Sequence, residues 1–313
     1  MNETVKIKER IETISKRLPR LGEVISFGYD MWQIQKTMIE AVNIPSLLVM
    51  KADRDRYAKR IKEDLPLLDR NDIIVTLNMN QWRDNASKVI LFLREKRPQL
   101  AESLEKIEKH IQETDTKQLL ERYLPPMRYN PLSDEQAEYN EALFYYIMDS
   151  SIKPSARAYR KTFADIFSTI NPSDWKLSHC PLCGAQPMMG EIKGEERTKY
   201  LICSWCETAW SYRRVECPFC QNTEQETLKY FVSSDLDIEE GGLRFRVDFC
   251  EKCKKYIKTI DNNKETQENK ENIFENKSFC IEDLLTLYLD IIAHKSGFER
   301  PVPQSLIRRG DHG

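Results

Sequence analysis

The chain contains no run approaching the ~18 consecutive apolar residues that a membrane-spanning helix needs. Its first residues, MNETVKIKERIETISKR, lack the apolar core of a secretory leader, which predicts a protein that stays in the cytoplasm. Histidine is scarce, with four in 313 residues, and glycine little commoner, with ten. There is no Walker loop, no Rossmann glycine fingerprint, no H-E-x-x-H and no G-x-S-x-G, so most familiar phosphate-binding and hydrolase motifs are excluded. The charges nearly cancel, 48 Lys+Arg against 50 Asp+Glu for a net −2, and the whole chain is no electrostatic binder of nucleic acid. With 40% hydrophobic residues, this length still allows a real core and two or three domains.

The missing glycines have a pattern. After Gly22 and Gly28 none occurs until Gly184, which suits a helical domain. Prolines 45, 66, 98, 125, 126, 131, 154 and 172 punctuate that stretch, and each marks an expected helix boundary. Ile7, Ile11, Ile14 and Leu18 recur at helical spacing, as do Leu104, Ile107, Ile111 and Leu119, and then Tyr139, Leu143, Tyr146 and Ile147. These stripes read as core faces. Near Trp175 the pattern changes to period two. Leu243, Phe245, Val247 and Phe249 alternate with Arg244, Arg246 and Asp248, a half-buried strand with Leu228–Val232 as its partner. Tyr200–Ile202 is a corresponding strand upstream. Residues 261–277 are almost all polar and read as a solvated linker. One final helix is expected, with Ile281, Leu284, Leu285, Tyr288 and Ile292 on one face and Gly297 at its stop.

Nine cysteines stand out against these scarcities, eight of them in C-x-x-C pairs: Cys180/Cys183, Cys203/Cys206, Cys217/Cys220 and Cys250/Cys253. In a chain without a leader this spacing reads as metal binding, not as a disulfide framework. Each pair puts two thiolates on one tight turn, a knuckle, and two knuckles complete a tetrahedral shell. The intervening lengths are nineteen, ten and twenty-nine residues. Sequential pairing is the simplest arrangement, and interleaved pairing remains open. Pro181 and Pro218 help pre-form their turns, and Gly184 tolerates a positive φ. An all-thiolate tetrahedron suits iron or zinc. Roughly 10–16 kcal/mol of binding energy at a structural zinc site would hold such small modules folded. Closed four-cysteine sites leave no position for a substrate, which favours a binding protein over an enzyme.

The expected layout is therefore an all-α N-terminal domain over 1–174, two tandem rubredoxin-like or zinc-ribbon four-cysteine modules over 175–214 and 215–264, and a linker, C-terminal helix and tail over 265–313. His179 stands beside the first knuckle as an alternative ligand or, more simply, a neighbour of the site. His110 and His294 read as structural, and Cys280 as a small core residue. Trp205, Trp210, Tyr212, Arg213 and Arg214 are candidate partner contacts, with packing over the metal site as the plainer explanation. Arg213, Arg214, Arg244, Arg246, Lys254 and Lys255 are a candidate basic patch.

The runs H-C-P-L-C-G-A-Q-P at 179–187, L-I-C-S-W-C-E-T-A-W at 201–210, R-R-V-E-C-P-F-C at 213–220, F-R-V-D-F-C-E-K-C-K-K-Y-I-K-T-I-D at 245–261 and E-D-L-L-T-L-Y-L-D-I-I-A-H-K-S-G-F-E-R at 282–300 resemble the bacterial formate dehydrogenase accessory protein family, FdhE. The resemblance is specific from about 179 to 300 and architectural before that. It implies a cytoplasmic, non-catalytic maturation factor that contacts the catalytic subunit of a respiratory formate dehydrogenase before twin-arginine (Tat) export. It also implies two rubredoxin-like sites, each holding one iron or zinc ion through four of the eight paired cysteines. Two departures stand out: Gln221 where a glycine is usual, and the long polar insert at 261–277. A nucleic-acid-binding zinc ribbon and a rubredoxin-like electron carrier or redox sensor are the competing readings, the former disfavoured by the net charge.

Overall fold

Pro19 occupies the first turn of a helix, where its missing N–H breaks no hydrogen bond, so the first apolar stripe divides at Leu18 into α1 (Glu3–Arg17) and α2 (Pro19–Glu40). The computed structural model describes residues 3–42, 54–68, 72, 79–123, 139–163, 175–232, 243–262 and 278–301. Ile7, Ile11 and Ile14 of α1 are buried against Ile25, Tyr29 and Trp32 of α2. The two helices meet at Gly22, where an added Cβ would fall 2.7 Å from the Cα of Ser15. Glycine is what permits that approach.

Further along come α3 (Arg54–Lys62), α4 (Met79–Lys96), a 3-10 turn at Pro98–Leu100, α5 (Ala101–Glu113), α6 (Thr116–Tyr123) and α7 (Glu141–Thr162). α7 packs on α2 and α4. The expected core residues Leu104, Ile107, Ile111, Leu119 and Ile147 are buried together with Trp82, Val89 and Ile90. His110 packs its ring against Tyr139 and Phe144.

Pro154 does not mark a boundary; it lies inside α7. Proline leaves the carbonyl four residues back without its helical donor. That carbonyl belongs to Ser150, and Gln35 Nε2 of α2 donates to it at 3.0 Å. Asn85 Nδ2 of α4 reaches the next carbonyl, that of Ser151, at 3.4 Å. The neighbouring helices replace what the proline removes, and α7 continues.

The cysteine region forms six strands: β1 (Pro187–Lys193), β2 (Thr198–Cys203), β3 (Ala209–Tyr212), β4 (Leu228–Val232), β5 (Leu243–Cys250) and β6 (Tyr256–Asn262). Each half is an antiparallel meander. The halves join by a parallel pairing of β1 with β6, Met189 opposite Lys258, giving one sheet in the order β3-β2-β1-β6-β5-β4. The two four-cysteine modules are thus halves of one sheet. Asp261 and Asn262, read from composition as linker, end β6 instead, and Asp261 is buried. Residues 263–277 lie outside the described residues.

The single terminal helix expected from the sequence is two, α8 (Phe279–Leu285) and α9 (Leu287–Lys295), broken at Thr286. Thr286 Oγ1 takes the carbonyl of Glu282, and Lys258 Nζ from β6 takes that of Asp283 at 2.7 Å. α8 docks on α2, with Trp32 Nε1 donating to Ser278 Oγ at 2.8 Å and Arg10 of α1 gripping Glu282 in two bonds of 2.9 Å. α9 covers β5 and β6, and Gly297 (φ 82°) ends it. No helix among the described residues is long and apolar enough to cross a membrane.

Candidate metal centres

Each knuckle is built the same way. The residue after its second cysteine takes a left-handed φ: Gly184 at 75°, Glu207 at 59°, Gln221 at 58° and Lys254 at 57°. Its N–H returns to the carbonyl of the first cysteine, at 2.9, 3.2, 2.9 and 2.9 Å in turn. The first cysteine's own N–H reaches the carbonyl of Ala185, Thr208, Asn222 or Lys255, at 2.8–3.0 Å. Gln221, the departure from glycine noted in the sequence, therefore adopts the same conformation as its three counterparts. Only Gly184 advertised this turn in the sequence; at Glu207, Gln221 and Lys254 the closing hydrogen bonds impose a conformation that costs an L-residue about 1–2 kcal/mol.

The knuckles assemble in sequential pairs. Cys180, Cys183, Cys203 and Cys206 form one cluster, and Cys217, Cys220, Cys250 and Cys253 the other, each with its four sulfurs within 4.8 Å of one another. The two clusters are congruent. In each, the first cysteine of one knuckle approaches the second of its partner, Cys180 to Cys206 at 3.6 Å and Cys217 to Cys253 at 3.7 Å. Cys183–Cys203 and Cys220–Cys250 repeat the relation at 3.5 and 3.8 Å. None of these cysteines is in a disulfide. A tetrahedral ion with sulfurs at about 2.3 Å has sulfur–sulfur edges of about 3.8 Å, so the donor sets fit such an ion.

Backbone N–H groups within the knuckles point at the first sulfur: Leu182 donates to Cys180 at 3.4 Å, and Trp205 and Cys206 to Cys203 at 3.3 and 3.4 Å. Burial pushes the Cys180 and Cys183 thiols well up. At Cys250 burial is outweighed by the backbone N–H groups of Cys253 and Lys252, and the thiol falls to about 7. Four buried sulfurs at this spacing cannot all ionise unaided, and a cation among them would remove that conflict.

The surroundings of the two clusters differ. The first lies inside the main core between helices and sheet. The backbone of residues 67 and 68 pairs with its first knuckle, Leu67 N to Pro181 O at 2.8 Å and Leu68 N to Leu182 O at 2.9 Å. From α7, Arg160 reaches the carbonyl of Glu207 and Arg157 pairs with its carboxylate, both at 2.9 Å. Around the second cluster, Asn222 Nδ2 contacts Cys250 Sγ at 3.5 Å and ties Thr227 at 2.6 Å. Cys220 there is exposed.

His179 is not in either donor set; its carbonyl accepts Trp175 Nε1 at 2.8 Å and its ring meets Trp175 edge-on. Trp205, Trp210 and Tyr212, considered as partner contacts, are buried in the main core instead. Trp210 Nε1 donates to Leu177 O at 3.1 Å, and Tyr212 OH to Glu216 at 2.7 Å. The basic patch is neutralised in part, at Arg213 and Arg246, whereas Arg214 and Lys254 are exposed. Arg213 pairs with Glu216, and Arg246 pairs with Asp248 and Asp261. Burial pushes the Asp248 carboxyl up, but Lys199 and Arg246 more than offset it and hold it below the usual carboxylate range. The side chain of Arg244 lies outside the described residues.

The family model for the FdhE central domain matches residues 179–214, which span the first cluster. A protein from Aquifex aeolicus (strain VF5) named "Protein FdhE homolog" is 25% identical over 292 residues, covering 92% of this chain and 90% of that one. A namesake from Stutzerimonas stutzeri (strain A1501) is 30% identical over 134 residues, 42% of this chain and 39% of its own length. The crystal structure of the FdhE protein from Pseudomonas aeruginosa shares the fold, with a TM-score of 0.61 at 19% identity, covering 97% of this chain and 95% of that one. A family model over the first cluster, a relative aligned nearly end to end and an architecture in common make this chain similar to FdhE proteins over almost its whole length.

Proposed function

We propose that this protein is a cytoplasmic, non-catalytic maturation factor for a respiratory formate dehydrogenase, binding the catalytic subunit before its export by the Tat pathway. Cys180, Cys183, Cys203 and Cys206 hold one ion, and Cys217, Cys220, Cys250 and Cys253 a second, each iron or zinc. The observation that carries this reading is the pair of congruent tetrathiolate clusters, set in one sheet and braced by a helical domain in an FdhE-type fold. Four thiolates fill a tetrahedral ion's coordination and leave no open position for a substrate, which supports a binding role. Iron in such a shell supplies a one-electron couple, and zinc supplies structure alone.

The nucleic-acid reading loses support because two of the arginines it needed, Arg213 and Arg246, are matched by carboxylates and the net charge is −2. The electron-carrier reading keeps one supporting observation, the exposure of Cys220, through which a redox-active ion would be reached. An anoxic pull-down from a native-like extract tests the main reading, with the wild-type chain and a Cys217→Ala/Cys220→Ala variant as baits and metal quantified on each. Capture of a formate dehydrogenase catalytic subunit by the wild type, lost in the variant, is the expected result. If the subunit is absent from both, the reading fails.

A further inference from the structure

Congruent donor sets do not imply equivalent sites, because ligand exchange at a four-coordinate ion needs an incoming donor to reach it. In the first cluster Cys180, Cys183, Cys203 and Cys206 are 0%, 3%, 0% and 1% exposed. Its knuckles are held from outside the module: the Leu67–Leu68 backbone bonds to one, and Arg157 and Arg160 of α7 hold the other. Opening that cluster means separating the helical domain from the sheet. In the second cluster Cys217 and Cys250 are buried at 3% and 1%, whereas Cys253 is half-exposed and Cys220 exposed. Its braces come from within the module and from the C-terminal segment. Asn222 ties the buried half to Thr227, the Glu251 N–H reaches Thr227 O at 2.9 Å, and the chain at Glu299 pairs with the backbone of Lys254 and Tyr256. The buried pair can stay anchored while the outer pair lets go.

We propose that the clusters divide the work: the first keeps its ion as part of the core, and the second is an exchange port through which a soft metal ion passes between Cys220/Cys253 and thiolate donors in solution. In the exchange each incoming thiolate forms one bond to the ion as one cysteine bond breaks, those to Cys220 and Cys253 first and those to the buried Cys217 and Cys250 last. Each released thiolate takes up a proton from solvent, and no electron moves. This rests on the metal reading above and goes beyond it by assigning different tasks to two chemically identical donor sets.

The test uses the full chain loaded anoxically with two equivalents of zinc. Excess EDTA is added, released metal is followed against time, and pulses of N-ethylmaleimide are mapped to individual cysteines by mass spectrometry. One equivalent is expected to leave at least about tenfold faster than the other. Label should reach Cys220 and Cys253 in that fast phase, while Cys180, Cys183, Cys203 and Cys206 stay protected. The near-ultraviolet circular dichroism of Trp175, Trp205 and Trp210 should change only in the slow phase. Release of both equivalents in one phase, or early labelling of the first cluster, overturns the division and leaves the metal reading standing. A chain that takes up no metal overturns both.

Discussion

Pro154 and Gln35 are one feature written in two distant places. The proline strips Ser150 of its helical donor, and Gln35 supplies another from a different helix. Gln35 also accepts from Arg157 at 3.0 Å, so it links the repaired carbonyl to the arginine that braces the first cluster. Replacing Gln35 by Leu should cost about 1–3 kcal/mol, because a buried acceptor is left unsatisfied. In a Pro154→Ala background the backbone N–H of residue 154 can serve Ser150, and the cost should shrink. A double-mutant cycle in urea checks this, and additive effects would sever the proposed link. The proline was visible in the sequence, but its remedy lay over a hundred residues away, which is why a boundary was the natural expectation.

Among the elements, α2 receives α1 on one side and α8 on another, and a glycine stands at each crossing. At Gly22 an added Cβ would strike the Ser15 backbone; at Gly28 it would meet Leu284 Cδ1 at 2.7 Å, the far end of a flexible side chain. Helix propensity favours alanine over glycine by about 1 kcal/mol at either position. Gly22→Ala should nevertheless lower stability by about 1–3 kcal/mol, since the helix itself must move. Gly28→Ala should be close to neutral, because Leu284 can change rotamer. Thermal unfolding of the two variants distinguishes them, and equal losses would contradict this account of the contacts. The α8–α9 break belongs to the same scale. The apolar stripe through Ile281, Leu285 and Tyr288 is continuous in sequence and all three are buried, yet Lys258 and Thr286 draw two carbonyls out of the helical ladder.

Across the whole molecule, a buried ionic cluster fastens the terminal helices to both halves of the sheet. Lys258, with no exposed surface on its side chain, bonds to Asp283 and Asp290. Arg300 binds the same two carboxylates and the carbonyl of Met188 in β1, and Tyr256 OH donates to Asp290 at 2.7 Å. Burial alone would raise the Asp283 carboxyl; Arg300 and Lys258 instead hold it down at about 2. A carboxyl depressed on folding adds stability that is present above its unfolded value near 4 and is lost as pH falls from there toward 2. The contribution is on the order of 2 kcal/mol. Asp283→Asn should therefore lower the urea midpoint at pH 6 and flatten its fall between pH 4 and 2. An unchanged acid profile in the variant would assign the acid sensitivity to other carboxylates.

The local pattern by itself determined the eight cysteines, their grouping into knuckles, the helical character of the first half and the strands around Tyr200, Leu228 and Phe245. Each of those rests on interactions between near neighbours, or on a periodicity of three to four residues or of two. Strands β1 and β6 escaped notice because neither alternates cleanly. Their defining contact is with each other, and it buries polar Glu191, Lys258 and Asp261 beside apolar neighbours. The polar residues of β5 looked solvent-facing for the same reason: Arg246 and Asp248 are polar but spend their charge on Asp261 and Lys199. Which knuckles share a cluster, that the two modules are one sheet, and that one cluster is enclosed while the other reaches solvent were decided only by tertiary structure. Pairing and burial depend on which surfaces meet across long sequence separations, and a C-x-x-C turn has the same local sequence whether a helical domain closes over it or water does.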